Sequence, residues 1–441
     1  MQRRWSRIFA LFMGIPLLLT FLAACGSGTG TGGNTGTGTT STVTIKVATE
    51  LPTSGNDTSS GKPTEQGAHI AVDEANSSNY IPGYKLVFVP KDDVGANGAN
   101  DPAVGAQNIQ ALIGDAQVAG VVGPFNSAVA KSEMPYANQA PLALISPSNT
   151  NQCLTQTNPD IGCKGSNNLV PTLRPTGKVT YFRIATTDDH QGPVNADYLY
   201  QTQNYKKAYI IDDTTVYGVG IATTFSDEWK KLGGTITGHT SSNPDTTTSY
   251  VSLLTQAAST QPDVIYFGGT DSRGGLKIRQ QMEQVPALAK TAFAGGDGLV
   301  TDTFATTIGT TGGPVFGTVA SSDVSKNPAA ADFIKKYKDT YNQDLGAYSA
   351  AGYDCMKILI QAIKKAIDGG AKPATDSGDA SGAKTFRQAV IDAVQKTDYT
   401  GLTGHHTFDA NGDTTNKVIT IQQLADVSGK SGWKIIKTIT V

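Results

Sequence analysis

Few residues in this chain of 441 are of the types that do covalent chemistry, and their spacing does not bring them together. There are five histidines and four cysteines. The sequence holds no Gly-x-Ser-x-Gly elbow, no His-Glu-x-x-His pair and no phosphate-cradling Gly-x-x-x-x-Gly-Lys-Ser/Thr loop. His405 and His406 are adjacent, so on a strand they face opposite sides and do not share a metal ion. Asp409, Asn411, Gly412 and Asp413 look like part of a calcium loop. An EF-hand needs Gly at the sixth position and Glu at the twelfth; those places hold Thr414 and Thr420. The segment reads as a turn, and Asn411-Gly412 between alternating runs predicts a hairpin. No nucleophile is paired with a base, so the expectation is a chain that is not an enzyme, with no cofactor and no metal.

Four short segments offer binding chemistry instead. They are Gly123-Pro124-Phe125-Asn126-Ser127, Ser146-Pro147-Ser148-Asn149-Thr150, Asp213-Thr214-Thr215-Val216-Tyr217-Gly218 and Gly295-Gly296-Asp297-Gly298. Together they supply hydroxyls, helix N-terminal amides, a phenol and a carboxylate. Each falls just past a predicted strand. The strands over 43–48, 85–90, 118–122 and 142–145 alternate with helices over 64–76, 101–113 and 128–139, by their apolar periodicity. The pattern restarts with strands over 181–185, 207–211, 234–239, 263–268 and 291–294. Between them lie helices over 191–203, 220–232, 250–258 and 275–284. Such alternation implies parallel sheets covered on both faces. Ligands of open α/β sheets sit beyond the carboxyl ends of the strands, where these four segments lie. Two such units in series predict two lobes with a cleft between them. Helices over 350–367 and 385–395, a Gly/Ala/Asp/Ser stretch over 369–383 and strands over 417–422 and 433–441 complete the chain.

Composition narrows the partners. The chain carries 35 Lys and Arg against 37 Asp and Glu, so it has no basic footprint for nucleic acid. The N-terminus reads as a secretory signal: Arg3, Arg4 and Arg7, then an apolar run from Ile8 to Ala24. That run is short for a bilayer span and is interrupted by Pro16. It ends in Leu22-Ala23-Ala24-Cys25, which resembles the bacterial lipoprotein box, in which the cysteine receives a diacylglycerol. Residues 1–24 are therefore expected to be a lipoprotein signal peptide and Cys25 the lipidation site. Residues 25–42 form a Gly/Thr-rich tether that cannot bury a core. The expected location is the outer side of the cytoplasmic membrane, with membrane contact through the lipid alone. In that oxidising setting, Cys153 and Cys163, ten apart in a Gly/Asn/Pro-rich stretch, are expected to form a loop-closing disulfide. Cys355 lies in a helical pattern and reads as a core thiol.

The body from 43 to 415 resembles the leucine/isoleucine/valine-binding proteins of bacterial ABC importers. Six segments carry the likeness: VGPFNSAVAKSEMPYANQAPLALISPSNT (122–150), RIATTDDHQGP (183–193), KAYIIDDTTVYGVGIA (207–222), DVIYFGGT (263–270), GGDGL (295–299) and FDANGD (408–413). The resemblance implies an α/β type I periplasmic binding protein fold, with two Rossmann-like lobes and a three-strand hinge. Lobe one is expected over 43–186 and 320–403, and lobe two over 187–319 and 404–441. The resemblance implies that Ser127 and Thr150 bind a ligand carboxylate. It gives Ser148 a carbonyl for the ligand ammonium, Asp297 the countercharge and Tyr217 a closing contact. Phe125, Asn126, Asn149, Thr270 and Ser60 complete the expected site. Ser60 stands where the family has an aromatic, Thr270 where branched-chain binders carry tyrosine, and Asn126 where they have cysteine. The amino-acid head group keeps its partners, while the aliphatic pocket does not, so the side chain stays open. The implied function is capture of an amino acid by hinge closure and delivery to an ABC permease, by a monomer. The alternatives are a sensor of the same fold, or a binder of amides, urea or aromatic acids, which would leave Asp297 without an amine.

Overall fold

Continuous apolar runs mark the strands that helices cover on both faces. Val118–Val122, Val264–Gly268 and Val315–Val319 are buried at every residue. A computed structural model describes residues 42–441; the expected signal peptide, Cys25 and nearly all of the tether lie outside the described residues. Among the described residues, no helix is long and apolar enough to cross a membrane.

The first sheet takes β1 (Val43–Leu51), β2 (Tyr84–Asp92), β3 (Val118–Val122), β4 (Ala143–Ser146) and β5 (Tyr181–Arg183), in the order β2-β1-β3-β4-β5. Every pairing in it is parallel. The second sheet takes β6 (Lys207–Asp212), β7 (Thr235–Ser241), β8 (Val264–Gly268), β9 (Ala292–Gly295) and β10 (Val315–Val319) in parallel. After the two-residue strands β11 (Tyr399–Thr400) and β12 (His405–His406), the chain adds β13 (Val418–Val427) and β14 (Lys430–Thr440). These two are antiparallel and extend the second sheet to the order β14-β13-β10-β9-β8-β6-β7. The helices Thr58–Ser77, Ser349–Asp368 and Ala380–Gln395 return to the first sheet, where Ile358, Leu359, Phe386 and Val390 join its core. The result is an α/β molecule of two sheets, hence two lobes.

Three strands cross between the lobes, and Thr186 joins them. Its amide donates to the Ala320 carbonyl at 3.1 Å. Its hydroxyl donates to the Val418 carbonyl and accepts from the Val418 amide, both at 2.8 Å. The third crossing therefore falls near 416–418, later than the expected 404. The reason is local: Arg183 pairs with Asp413 in a parallel bridge, and Phe408 packs into the first core, so 405–415 stays with lobe one. Asn411-Gly412 closes only a one-pair turn, Phe408 against Thr414. The long hairpin is β13–β14, turned by Ser428 and Gly429, both left-handed.

Candidate functional site

The site lies between the lobes, beyond the carboxyl ends of β3, β4, β8 and β9, as an open α/β sheet requires. It is a cavity of about 410 Å³. Of the expected residues, Ser60, Phe125, Asn126, Ser127, Ser148, Thr150, Tyr217, Thr270 and Asp297 line it. Asn149 does not. It is buried, donating from its amide nitrogen to the Phe125 carbonyl at 2.6 Å and accepting from the Tyr181 hydroxyl at 2.8 Å. Its part is to hold the Phe125–Ser127 loop.

On lobe one, Ser127 opens the helix Ser127–Gln139, whose preceding residue, Asn126, makes no side-chain cap. The first-turn amides are thus left for an anion, which the helix dipole also favours. Thr150 is 1% exposed, and its hydroxyl makes no hydrogen bond among the described residues. The Ser148 hydroxyl donates to the Phe125 carbonyl at 2.9 Å. Behind this loop, Arg183 and Asp413 form a fully buried ion pair at 2.7 Å. Arg183 also donates to the Asn151 carbonyl at 2.7 Å and to the Thr155 hydroxyl. Cys153 and Cys163 are joined in a disulfide in the same stretch.

On lobe two, Asp297 follows β9 and is the centre of a network. Its Oδ1 accepts from Gln191 Nε2 at 2.8 Å and from the Tyr217 hydroxyl at 2.9 Å. Its Oδ2 accepts from the Tyr348 hydroxyl at 2.8 Å. Gly296 has no side chain, and a Cβ there would collide with Tyr217 and Ile221. Burial raises the Asp297 pKa above the ordinary carboxylate value. Asp188 is close by; burial first, then the charge of Asp297, pushes its pKa well up. Gln191 reaches Asp188 Oδ1 at 3.3 Å, while Oδ2 makes no hydrogen bond. Two carboxyls, Asp188 buried and Asp297 half-buried, thus share one amide, and among the described residues no cation is bonded to either.

The lobes touch across the cavity. Tyr348 of lobe one bonds Asp297 of lobe two, and Asn151 of lobe one donates to the Val216 carbonyl of lobe two at 2.7 Å. Sequence reasoning missed Tyr348, Gln191 and Asp188. The last two lie inside the RIATTDDHQGP segment, which carried resemblance but no assigned role. Tyr348 precedes its helix with no periodic signal. Thr270 caps the turn after β8, accepting from the Arg273 amide at 3.3 Å. His405 is exposed beside Asp398, while His406 is buried between the Thr403 and Thr414 hydroxyls. Burial holds the His406 pKa down at about 4. Cys355 is buried, which raises its thiol pKa well above the ordinary value.

A family model described as periplasmic binding protein matches residues 44–430. The Leu/Ile/Val-binding protein BraC3 of Rhizobium johnstonii is 30% identical over 320 residues, covering 71% of this chain and 77% of that protein. A leucine binding protein, LivK, from Thermotoga maritima superposes with a TM-score of 0.72 at 22% identity, covering 90% of this chain and 99% of that one. A solute binding protein of an ABC transporter from R. palustris, in complex with 4-hydroxybenzoate, gives 0.70 at 19%, covering 90% and 97%. The chain belongs to the type I periplasmic binding protein family that includes the Leu/Ile/Val-binding proteins.

Proposed function

We propose that this chain is the substrate-binding lipoprotein of an ABC importer and captures an α-amino acid between its lobes. The fold alone does not choose the ligand, since similar folds include a leucine binding protein and a solute binding protein in complex with 4-hydroxybenzoate. The carrying observation is that Asp297, backed by the buried Asp188 and bonded to no cation among the described residues, lines the same cavity as the uncapped helix start at Ser127. A zwitterionic head group supplies both missing charges. Its ammonium faces Asp297 and the Ser148 carbonyl; its carboxylate takes the Ser127 and Thr150 hydroxyls and the first-turn amides. Phe125, Asn126, Ser60 and Thr270 meet the rest of the ligand, and Tyr217 and Tyr348 close on Asp297. An aromatic acid has no amine for Asp297.

Ligand contacts on both lobes make closure ligand-dependent, with the three crossing strands as hinge. The closed form is then presented to a membrane permease, and Cys25 holds the protein, as a monomer, on the outer face of the membrane by its lipid. A thermal-shift screen of the twenty amino acids, with urea and 4-hydroxybenzoate, tests the reading. An amino acid at about 100 times its Kd should stabilise the fold by roughly 2.7 kcal/mol. A shift with 4-hydroxybenzoate or urea and with no amino acid contradicts it.

A further inference from the structure

We propose that the ligand of this cleft carries a second positive charge, at the end of its side chain: a cationic α-amino acid such as lysine, ornithine or arginine. The inference rests on the amino-acid reading and narrows it. Among the described residues, six aspartates and one lysine line the cavity. That lysine, Lys338, is already bonded to one of the six, Asp344, at 2.8 Å. Asp297 is taken by the α-ammonium.

Two others form the second acidic station. Asp57, 5% exposed, comes from lobe one, just before the helix Thr58–Ser77; Asp271, 4% exposed, comes from lobe two, after β8. Asp57 Oδ2 accepts from the Asn100 amide and side chain at 2.7 and 3.0 Å. Asp271 accepts from the Thr301 hydroxyl at 2.6 Å and the Ser272 amide at 2.8 Å. Among the described residues no cation bonds to either; Arg273, two residues on from Asp271, is paired with Asp245 at 2.9 Å. Burial first, then the charge of Asp57 after the Thr301 bond is counted, places the Asp271 pKa at about 7.

The two carboxyls stand on opposite lobes, so closure drives like charges together. Asp302 of lobe two and Asp344 of lobe one also line the cavity, both exposed and the latter already paired with Lys338. An ammonium or guanidinium between the lobes turns this repulsion into attraction and makes closure depend on the ligand's charge. The walls near this end include Val300, Trp433 and Ile435, against which a methylene stem can pack. Among the described residues Asp57 Oδ1 makes no hydrogen bond, so this buried carboxylate keeps one oxygen for a ligand in the cavity it lines. A leucine side chain would desolvate Asp57 and Asp271 and give them nothing in return.

Calorimetry on the full chain decides it with three probes. L-norleucine has the carbon skeleton of L-lysine without the terminal amine, and 1,5-diaminopentane lacks the carboxylate. L-lysine should bind at least about 100-fold more tightly than norleucine, the scale expected when a buried charge pair gains or loses a partner. The double variant Asp57→Asn, Asp271→Asn should reduce that ratio at least about tenfold. If norleucine binds as tightly as lysine, the second-charge inference falls and the amino-acid reading stands. If diaminopentane binds and neither amino acid does, the amino-acid reading falls and the second charge stands. If none of the three probes binds, the second-charge inference is overturned, and the amino-acid reading is decided by the screen of the twenty amino acids.

Discussion

The Tyr348 hydroxyl accepts from the Ala320 amide at 3.3 Å and donates to Asp297 at 2.8 Å. Ala320 lies on the second crossing strand, so one oxygen ties the hinge to the site. Removing a hydrogen bond to a charged group costs about 1.5–3 kcal/mol. Tyr348→Phe should therefore weaken binding of the best amino acid by roughly 10- to 100-fold by calorimetry. A value within about twofold of the parent would show that the phenol only fills space. Ser127→Ala should cost less, on the order of 1–2 kcal/mol, because the helix amides remain. At this scale the sequence was half legible. Ser127, Thr150 and Asp297 stand at strand ends in segments that already signal turns. Gln191 lies in the helix that follows the first crossing and Tyr348 just before a helix far along the chain, and nothing local to either points to a cleft.

Among the elements, β1, the residue that follows β2 and the helix Ser127–Gln139 supply Glu50, Asp93 and Glu133, each fully buried. Burial, then mutual charge at Asp93 and Glu133, pushes those two well up, and burial takes Glu50 to about 7. Folded-state pKa values above the unfolded ones mean that the folded chain holds these protons more tightly. Their stabilising contribution is complete in acid and is lost as pH rises through about 7. Asp413 runs the other way: Arg183 holds its carboxyl below the ordinary value, so its contribution is lost only in strong acid. The melting temperature should therefore fall between about pH 5 and pH 8, and Glu50→Gln, uncharged throughout, should flatten the fall. A melting temperature that rises over that range contradicts the account. The Cys153–Cys163 disulfide closes a short loop beside Thr150. By loop-closure entropy, replacing both with serine should cost roughly 2–3 kcal/mol in denaturant unfolding; an unchanged midpoint would deny it that role. The buried strands were the legible elements, because a run such as Val264–Gly268 has few other uses. The helix Ala380–Gln395 was read five residues short. Its first turn, Ala380-Ser381-Gly382-Ala383, looks like linker until the Asp379 side chain caps it, accepting from the Gly382 amide at 2.9 Å.

For the whole molecule, the two-lobe plan was legible because the strand–helix alternation restarts after residue 180. The third crossing was not, since a bridge between Arg183 and Asp413 joins residues 230 apart. The molecule's place in the envelope turns on Cys25. Mass spectrometry of the mature N-terminus should find that cysteine first in the chain and diacylglyceryl-modified, and cleavage elsewhere would remove the anchor. Function turns on whether a ligand bridges the lobes through Asp297. Losing one partner of a buried charge pair costs about 3–5 kcal/mol. Calorimetry of the parent and Asp297→Ala with the best amino acid should therefore show affinity falling by roughly two to three orders of magnitude. Parent-like affinity in a folded Asp297→Ala protein would mean that the ligand is not held by its ammonium, and would contradict amino-acid capture in this cleft.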